Sequence, residues 1–131
     1  MKGITFSSFD FLHSGHIAML EEAKSQCDYL IVGLQTDPTI DRPEKNKPVQ
    51  TIFERFMQLK GCKFVDEIIP YDSEEDLVNI LQVSKPDIRF IGEDYRGKTF
   101  SGNELEIPII YTRRRHSFSS SSLRLRTRNA K

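Results

Sequence analysis

The stretch ITFSSFDFLHSGHIAMLEEAKSQC, residues 4–27, contains the change of period that decides the fold. Its first residues, Ile4, Thr5 and Phe6, favour a strand. From Ser14 onward Ile17, Ala18, Leu20, Ala23 and Cys27 recur near 3.6-residue spacing, which predicts a helix over 14–27. Between the two lies SSFDFLHSGH, which sets Asp10, His13, Gly15 and His16 at a strand-to-helix junction.

The same alternation continues outward. YLIVGL (residues 29–34) is nearly unbroken apolar sequence, as expected of a strand buried on both faces of a parallel sheet. Residues 35–50 are polar, with three prolines and with Lys45 and Lys47, and predict a mobile loop, either functional or disordered. A helix follows over 51–62, with Phe53, Phe56, Met57 and Cys62 assigned to its apolar side. Residues 65–70 predict a third strand. Ser73 and Asp76 form a capping-box pattern opening a helix to Gln82. Residues 87–91 and 107–111 complete five strands, separated by the loop GEDYRGK, and a basic helix is expected over 119–128. Strands and helices in this order predict an α/β fold. The expected architecture is a Rossmann-like parallel five-stranded sheet with helices on both faces, one domain over 1–131.

Composition narrows the functional classes. Formal net charge is zero, so no overall field recruits nucleic acid or an anionic membrane. No long apolar run or signal peptide is evident, and Cys27 and Cys62 stand far apart, outside any CxxC pattern. A cytoplasmic protein with two reduced thiols is expected. Charge is nonetheless uneven. Acids concentrate between Asp66 and Asp94, while Arg113, Arg114, Arg115, Arg124, Arg126, Arg128 and Lys131 crowd the end. That pattern points to a local anion site or a local interface. GxSxG, Walker and GxGxxG patterns are all missing, so hydrolase, P-loop and dinucleotide readings lack their motifs.

In an open parallel sheet, ligands bind beyond the carboxyl ends of the strands. Four polar loops converge there, led by the histidine loop. His13 and His16 are i, i+3 in the first turn of a helix, where free N–H groups and imidazoles both suit phosphate oxygens. Phosphoryl transfer needs such positioning and electrostatics more than covalent help. Asp10 either holds the loop or binds Mg²⁺, and Gly15 lets the backbone approach a ligand closely.

FDFLHSGH resembles the first signature of the nucleotidyltransferases, GTFDxxHxGH, and FSSSS after an arginine run resembles their second, RTEGISTT. The likeness is greatest to small bacterial glycerol-3-phosphate cytidylyltransferases and extends over nearly the whole chain. It implies attack by an alcohol phosphate on the α-phosphorus of CTP, giving a CDP-alcohol and pyrophosphate. Mg²⁺ would be bound mainly through the triphosphate. By this resemblance His13, His16, Lys45 and Arg114 are catalytic. Ser7, Ser8, Phe9, Asp10, Gly15 and Lys47 belong to the phosphate-binding region. Arg55 and Lys63 serve the substrates, Gly92 and Asp94 lie near the nucleotide, and Ser119 and Ser120 supply a hydroxyl pair. The resemblance also implies a homodimer with small-molecule substrates and no nucleic-acid or membrane partner.

The departures fall on substrate identity. Ser7 stands for the signature glycine, Lys63 for arginine, and Arg115, His116 and Ser117 for Thr, Glu and Gly. Glycerol 3-phosphate is the first acceptor considered. Other alcohol phosphates, adenylyl transfer to a sugar or cofactor phosphate, and a domain that only binds nucleotide are the alternatives.

Overall fold

The computed structural model describes residues 1–113. Chain order is β1 (Lys2–Ser7), α1 (Ser14–Lys24), β2 (Tyr29–Gln35), α2 (Ile52–Lys60), β3 (Glu67–Tyr71), α3 (Glu74–Ser84), β4 (Ile88–Gly92) and β5 (Ile109–Thr112). The strands form one parallel sheet in the order β3-β2-β1-β4-β5. The chain therefore builds outward from β1 to β3, then crosses back to β4, and the order reverses between β1 and β4. This is the Rossmann-like α/β sheet expected from the sequence.

Central position explains the composition of β2. Leu30 to Leu34 are buried at every residue because one face meets α1 and α2 and the other meets α3. On the first face Leu20, Ala23, Leu59 and Cys62 pack with Leu30, Val32, Leu34 and Phe90. On the second, Leu77 and Leu81 pack with Ile4, Ile31 and Tyr71. Burying a leucine-sized side chain stabilises by about 1.5–3 kcal/mol, so these two layers hold the sheet in place.

The helix ends follow local chemistry. Ser73 and Asp76 cap each other at the start of α3, as their spacing predicts. That helix runs to Ser84 and stops at Lys85, in the left-handed conformation just before Pro86. Helix α1 ends at Lys24, short of Cys27. Cys27 and Cys62 are both free thiols.

Helix α2 corrects its expected orientation. Phe53 is 69% exposed and Met57 47% exposed, so they do not form the buried side. The inward stripe is Ile52, Arg55, Phe56 and Leu59. Two stripes of equal spacing compete in IFERFMQLK, and the winner places an arginine among apolar residues.

The loop between β2 and α2 makes several bonds of its own and to α3. Asp37 accepts from the Thr39 N–H and hydroxyl, the Arg42 N–H donates to the Pro38 carbonyl, and Arg42 pairs with Glu74 at 2.6 Å. The expected helix over 119–128 lies outside the described residues.

Candidate active site

A cleft of about 590 Å³ opens beyond the carboxyl ends of β1 and β4, where the strand order reverses. Ser7, Ser8, Asp10, His13, Gly15 and His16 line one side, Lys45 comes from the β2–α2 loop, and Gly92 and Asp94 line the far rim. Three sequence-distant segments thus meet at one place.

At its centre the two histidines cap each other. His13 is the N-cap of α1, and its Nδ1 accepts the N–H groups of Gly15 (3.0 Å) and His16 (3.4 Å). The His13 N–H in turn donates to His16 Nδ1 at 3.3 Å. Two imidazoles therefore perform the exchange that a serine and a glutamate make in an ordinary capping box. The rings stack with centroids 3.9 Å apart and planes 18° off parallel. Since each Nδ1 accepts, each neutral ring carries its proton on Nε2. Burial, with the neighbouring His13 second, lowers the His16 pKa to about 4 against the pull of Asp10, so it is uncharged at neutral pH. The helix N–H groups of Gly15 and His16, anticipated as phosphate ligands, are taken by His13.

The preceding loop is held under backbone strain. Phe9 and Phe11 have φ of 48° and 53°, a left-handed region that costs side-chain-bearing residues roughly 1–2 kcal/mol each. Several contacts oppose that cost. Phe9 is buried and meets the His16 ring edge-on at 5.4 Å. The Phe11 N–H donates to Gln50 Oε1 at 2.8 Å. Asp10 is buried, and its two carboxylate oxygens accept the N–H groups of Val49 and Gln50, both at 3.0 Å. The carboxylate thus ties the histidine loop to the loop that carries Lys45.

Other residues singled out by the sequence take different places. Arg55 is 2% exposed, and its guanidinium donates to four carbonyls. Nε reaches Gln50 at 3.2 Å, Nη1 reaches Ser8 at 2.9 Å and Gln35 at 2.6 Å, and Nη2 reaches Thr36 at 2.7 Å. It is a staple between three segments and does not line the cleft. Lys47 and Lys63 are exposed and also off the cleft wall, Lys63 resting over the Phe64 ring at 5.3 Å. Arg114, Ser119 and Ser120 lie outside the described residues.

Sequence reasoning missed Arg42, Tyr71, Glu74 and Arg89, all of which line the cleft on its α3 side. An arginine inside DIRFI was the available signal, because a charge in an otherwise apolar strand must face something polar. Among the described residues, no three His, Cys, Asp or Glu side chains gather as a metal-binding group. Each Asp10 oxygen accepts one loop N–H, so the carboxylate serves as a structural tie.

A Rossmann-like sheet with a strained loop, paired histidines and a lysine loop around one cleft defines a nucleotide-handling α/β protein. The cytidylyltransferase-like family profile matches residues 4–126, and the chain belongs to this family of nucleotidyltransferases. It is 39% identical to the bifunctional protein HldE of Campylobacter fetus over 81% of this chain and 24% of that protein. It is 36% identical to the HldE of Caulobacter sp. strain K31, over 79% of this chain and 21% of that protein. The chain thus spans about a quarter or less of these relatives. The crystal structure of the lipopolysaccharide core biosynthesis protein from Thermoplasma volcanium is similar with a TM-score of 0.69 and 28% identity. That likeness covers 90% of this chain and 98% of the other. No helix of the described residues is long and apolar enough to cross a membrane.

Proposed function

We propose that the chain transfers a nucleotidyl group from a nucleoside triphosphate to an alcohol phosphate, CTP and glycerol 3-phosphate being the first pair. An acceptor phosphate oxygen attacks the α-phosphorus, the bond to the β-phosphate oxygen breaks, and pyrophosphate leaves; Mg²⁺ held mainly through the triphosphate would offset its negative charge. The observation that carries the reading is the reciprocal histidine cap at the centre of the cleft. It fixes two rings with Nδ1 occupied and Nε2–H as the donor, so their dipoles need no reorganisation as charge develops on the phosphate.

In this reading His13 and His16 hold the triphosphate, and Lys45 and Arg114 offset its charge. Ser7, Ser8 and Gly15 border the phosphates. Gly92 and Asp94 contact the nucleoside, and Ser119 and Ser120 complete the substrate contacts. Asp10, Phe9 and Arg55 act as positioning residues by shaping the loop. The enzyme works as a cytoplasmic homodimer.

A sugar phosphate is the second acceptor, with ATP as an alternative donor. The likeness to a lipopolysaccharide core biosynthesis protein favours it, since such cores are built from sugars. The test is pyrophosphate release with Mg²⁺, crossing CTP and ATP against glycerol 3-phosphate, mannose 1-phosphate and phosphoethanolamine. Turnover by the intact chain and its loss in His16→Ala is the expected result. Equal turnover in that variant would remove the histidines from the mechanism.

A further inference from the structure

The α3 side of the cleft contains two polar atoms that the fold does not satisfy. Arg89 lies on β4 and is only 6% exposed. Its guanidinium carbon is 5.0 Å from the Phe6 ring centroid and 5.1 Å from that of Phe100. Nη1 donates to the Ser101 carbonyl, while Nε is buried with no hydrogen-bond partner among the described residues. Glu74 opens α3, and its Oε1 accepts from Arg42 at 2.6 Å. Its Oε2 is likewise buried and unpartnered among the described residues. Arg89 makes no ion pair among those residues either.

A buried donor or acceptor left unmatched costs roughly 1–3 kcal/mol. Both side chains line the cleft that contains the histidine pair. The arrangement therefore sets one N–H donor, flanked by the Phe6 and Phe100 rings, and one carboxylate acceptor at the start of α3 on the same side of the cleft. An anion would be opposed by Glu74 and a cation by Arg89, while an apolar group would leave both atoms unmatched. A hydroxyl accepts and donates at once, and Phe6 and Phe100, which flank the guanidinium, line the same cleft beside it.

We propose that Arg89 and Glu74 form an acceptor subsite that holds the hydroxyl groups of a polyol or sugar phosphate. Naming the bound molecule an acceptor rests on the nucleotidyl-transfer reading; the binding itself does not.

Calorimetry on the full chain tests it with glycerol 3-phosphate, mannose 1-phosphate and phosphoethanolamine, which lacks a free hydroxyl on carbon, alongside CTP and ATP. The intact chain is expected to bind at least one hydroxylated phosphate 10-fold or more tighter than phosphoethanolamine. Glu74→Gln and Arg89→Lys are expected to lose that preference while nucleotide affinity changes less than about threefold. Thermal melting establishes that each variant folds. Arg42→Gln breaks the ion pair but keeps Oε2, so it retains the preference if the subsite acts as described. Variants that keep the full preference would overturn the subsite and leave transfer intact. A chain that binds no triphosphate would overturn the transfer reading, and the variants' effect on mannose 1-phosphate or glycerol 3-phosphate would still decide the subsite. Binding of none of the three phosphates would overturn it too.

Discussion

His13 and His16 each accept the other's main-chain N–H through Nδ1, so one pair of side chains both starts helix α1 and fixes its own tautomers. Structure and chemistry are therefore coupled at these positions, and a substitution disturbs both unless it is chosen to separate them.

His13→Asn and His13→Ala provide that separation. Asparagine caps a helix about as well as any residue, whereas alanine loses about 1 kcal/mol at such a position. The melting temperature is expected to fall with alanine and hold with asparagine. Pyrophosphate release should fall by about 100-fold or more in both, because neither supplies the Nε2–H donor. An active asparagine variant would reduce His13 to a cap.

His16 sets a pH dependence. Its folded pKa is lowered from 6.5 to about 4, chiefly by burial. The unfolded chain therefore binds the proton first, and stability present above pH 6.5 declines as pH falls towards 4. The full contribution is about 3 kcal/mol. Denaturant titrations of the parent and His16→Gln between pH 7 and pH 4 should diverge by part of that amount, the parent weakening more. An imidazole resonance that titrates near 6.5 in the folded state would contradict it.

Asp10→Asn replaces an acceptor-only group by one that must turn an NH₂ towards Val49 N–H or Gln50 N–H. At least one charge-assisted bond is lost, at about 1.5–3 kcal/mol. Hydrogen exchange should accelerate at Val49 and Gln50, with lower stability. Unchanged exchange at both amides would show that the carboxylate does not tie the loops together.

Arg55→Lys tests the staple. A lysine has three donors on one point and cannot reproduce a fork reaching four carbonyls. A loss of about 3 kcal/mol or more is expected, close to that of Arg55→Met. A lysine variant as stable as the parent, with only substrate KM raised, would return Arg55 to direct substrate contact.

Gly33→Ala probes the wall of the proposed acceptor subsite. A Cβ there would lie 2.2 Å from Phe6 Cδ1, so Phe6 would have to leave the Arg89 guanidinium it covers. Overpacking of this kind costs about 1–3 kcal/mol. The expected result is lower stability together with weaker binding of hydroxylated phosphates. A stable variant with unaltered binding would show that Phe6 can be moved without consequence.

Local pattern alone determined the alternation of strands and helices, the Ser73–Asp76 cap and the meeting of the histidine loop with the lysine loop. These follow from period, capping chemistry and the rule that βαβ units place their loops at one sheet edge. Helix α2 shows where that information ends. Phe53 with Met57 and Ile52 with Phe56 have the same spacing, and only packing against β2 and β3 selected the second stripe. The choice turned Arg55 inward, towards carbonyls that no sequence neighbour could reveal. Arg89 and Glu74 were hidden for the same reason. Fifteen positions separate them in the sequence, and only the crossover from α3 back to β4 brings an N–H donor and a carboxylate to one cleft. Sequence specifies which local elements can form; burial, which depends on every element at once, decides which side chains face the ligand.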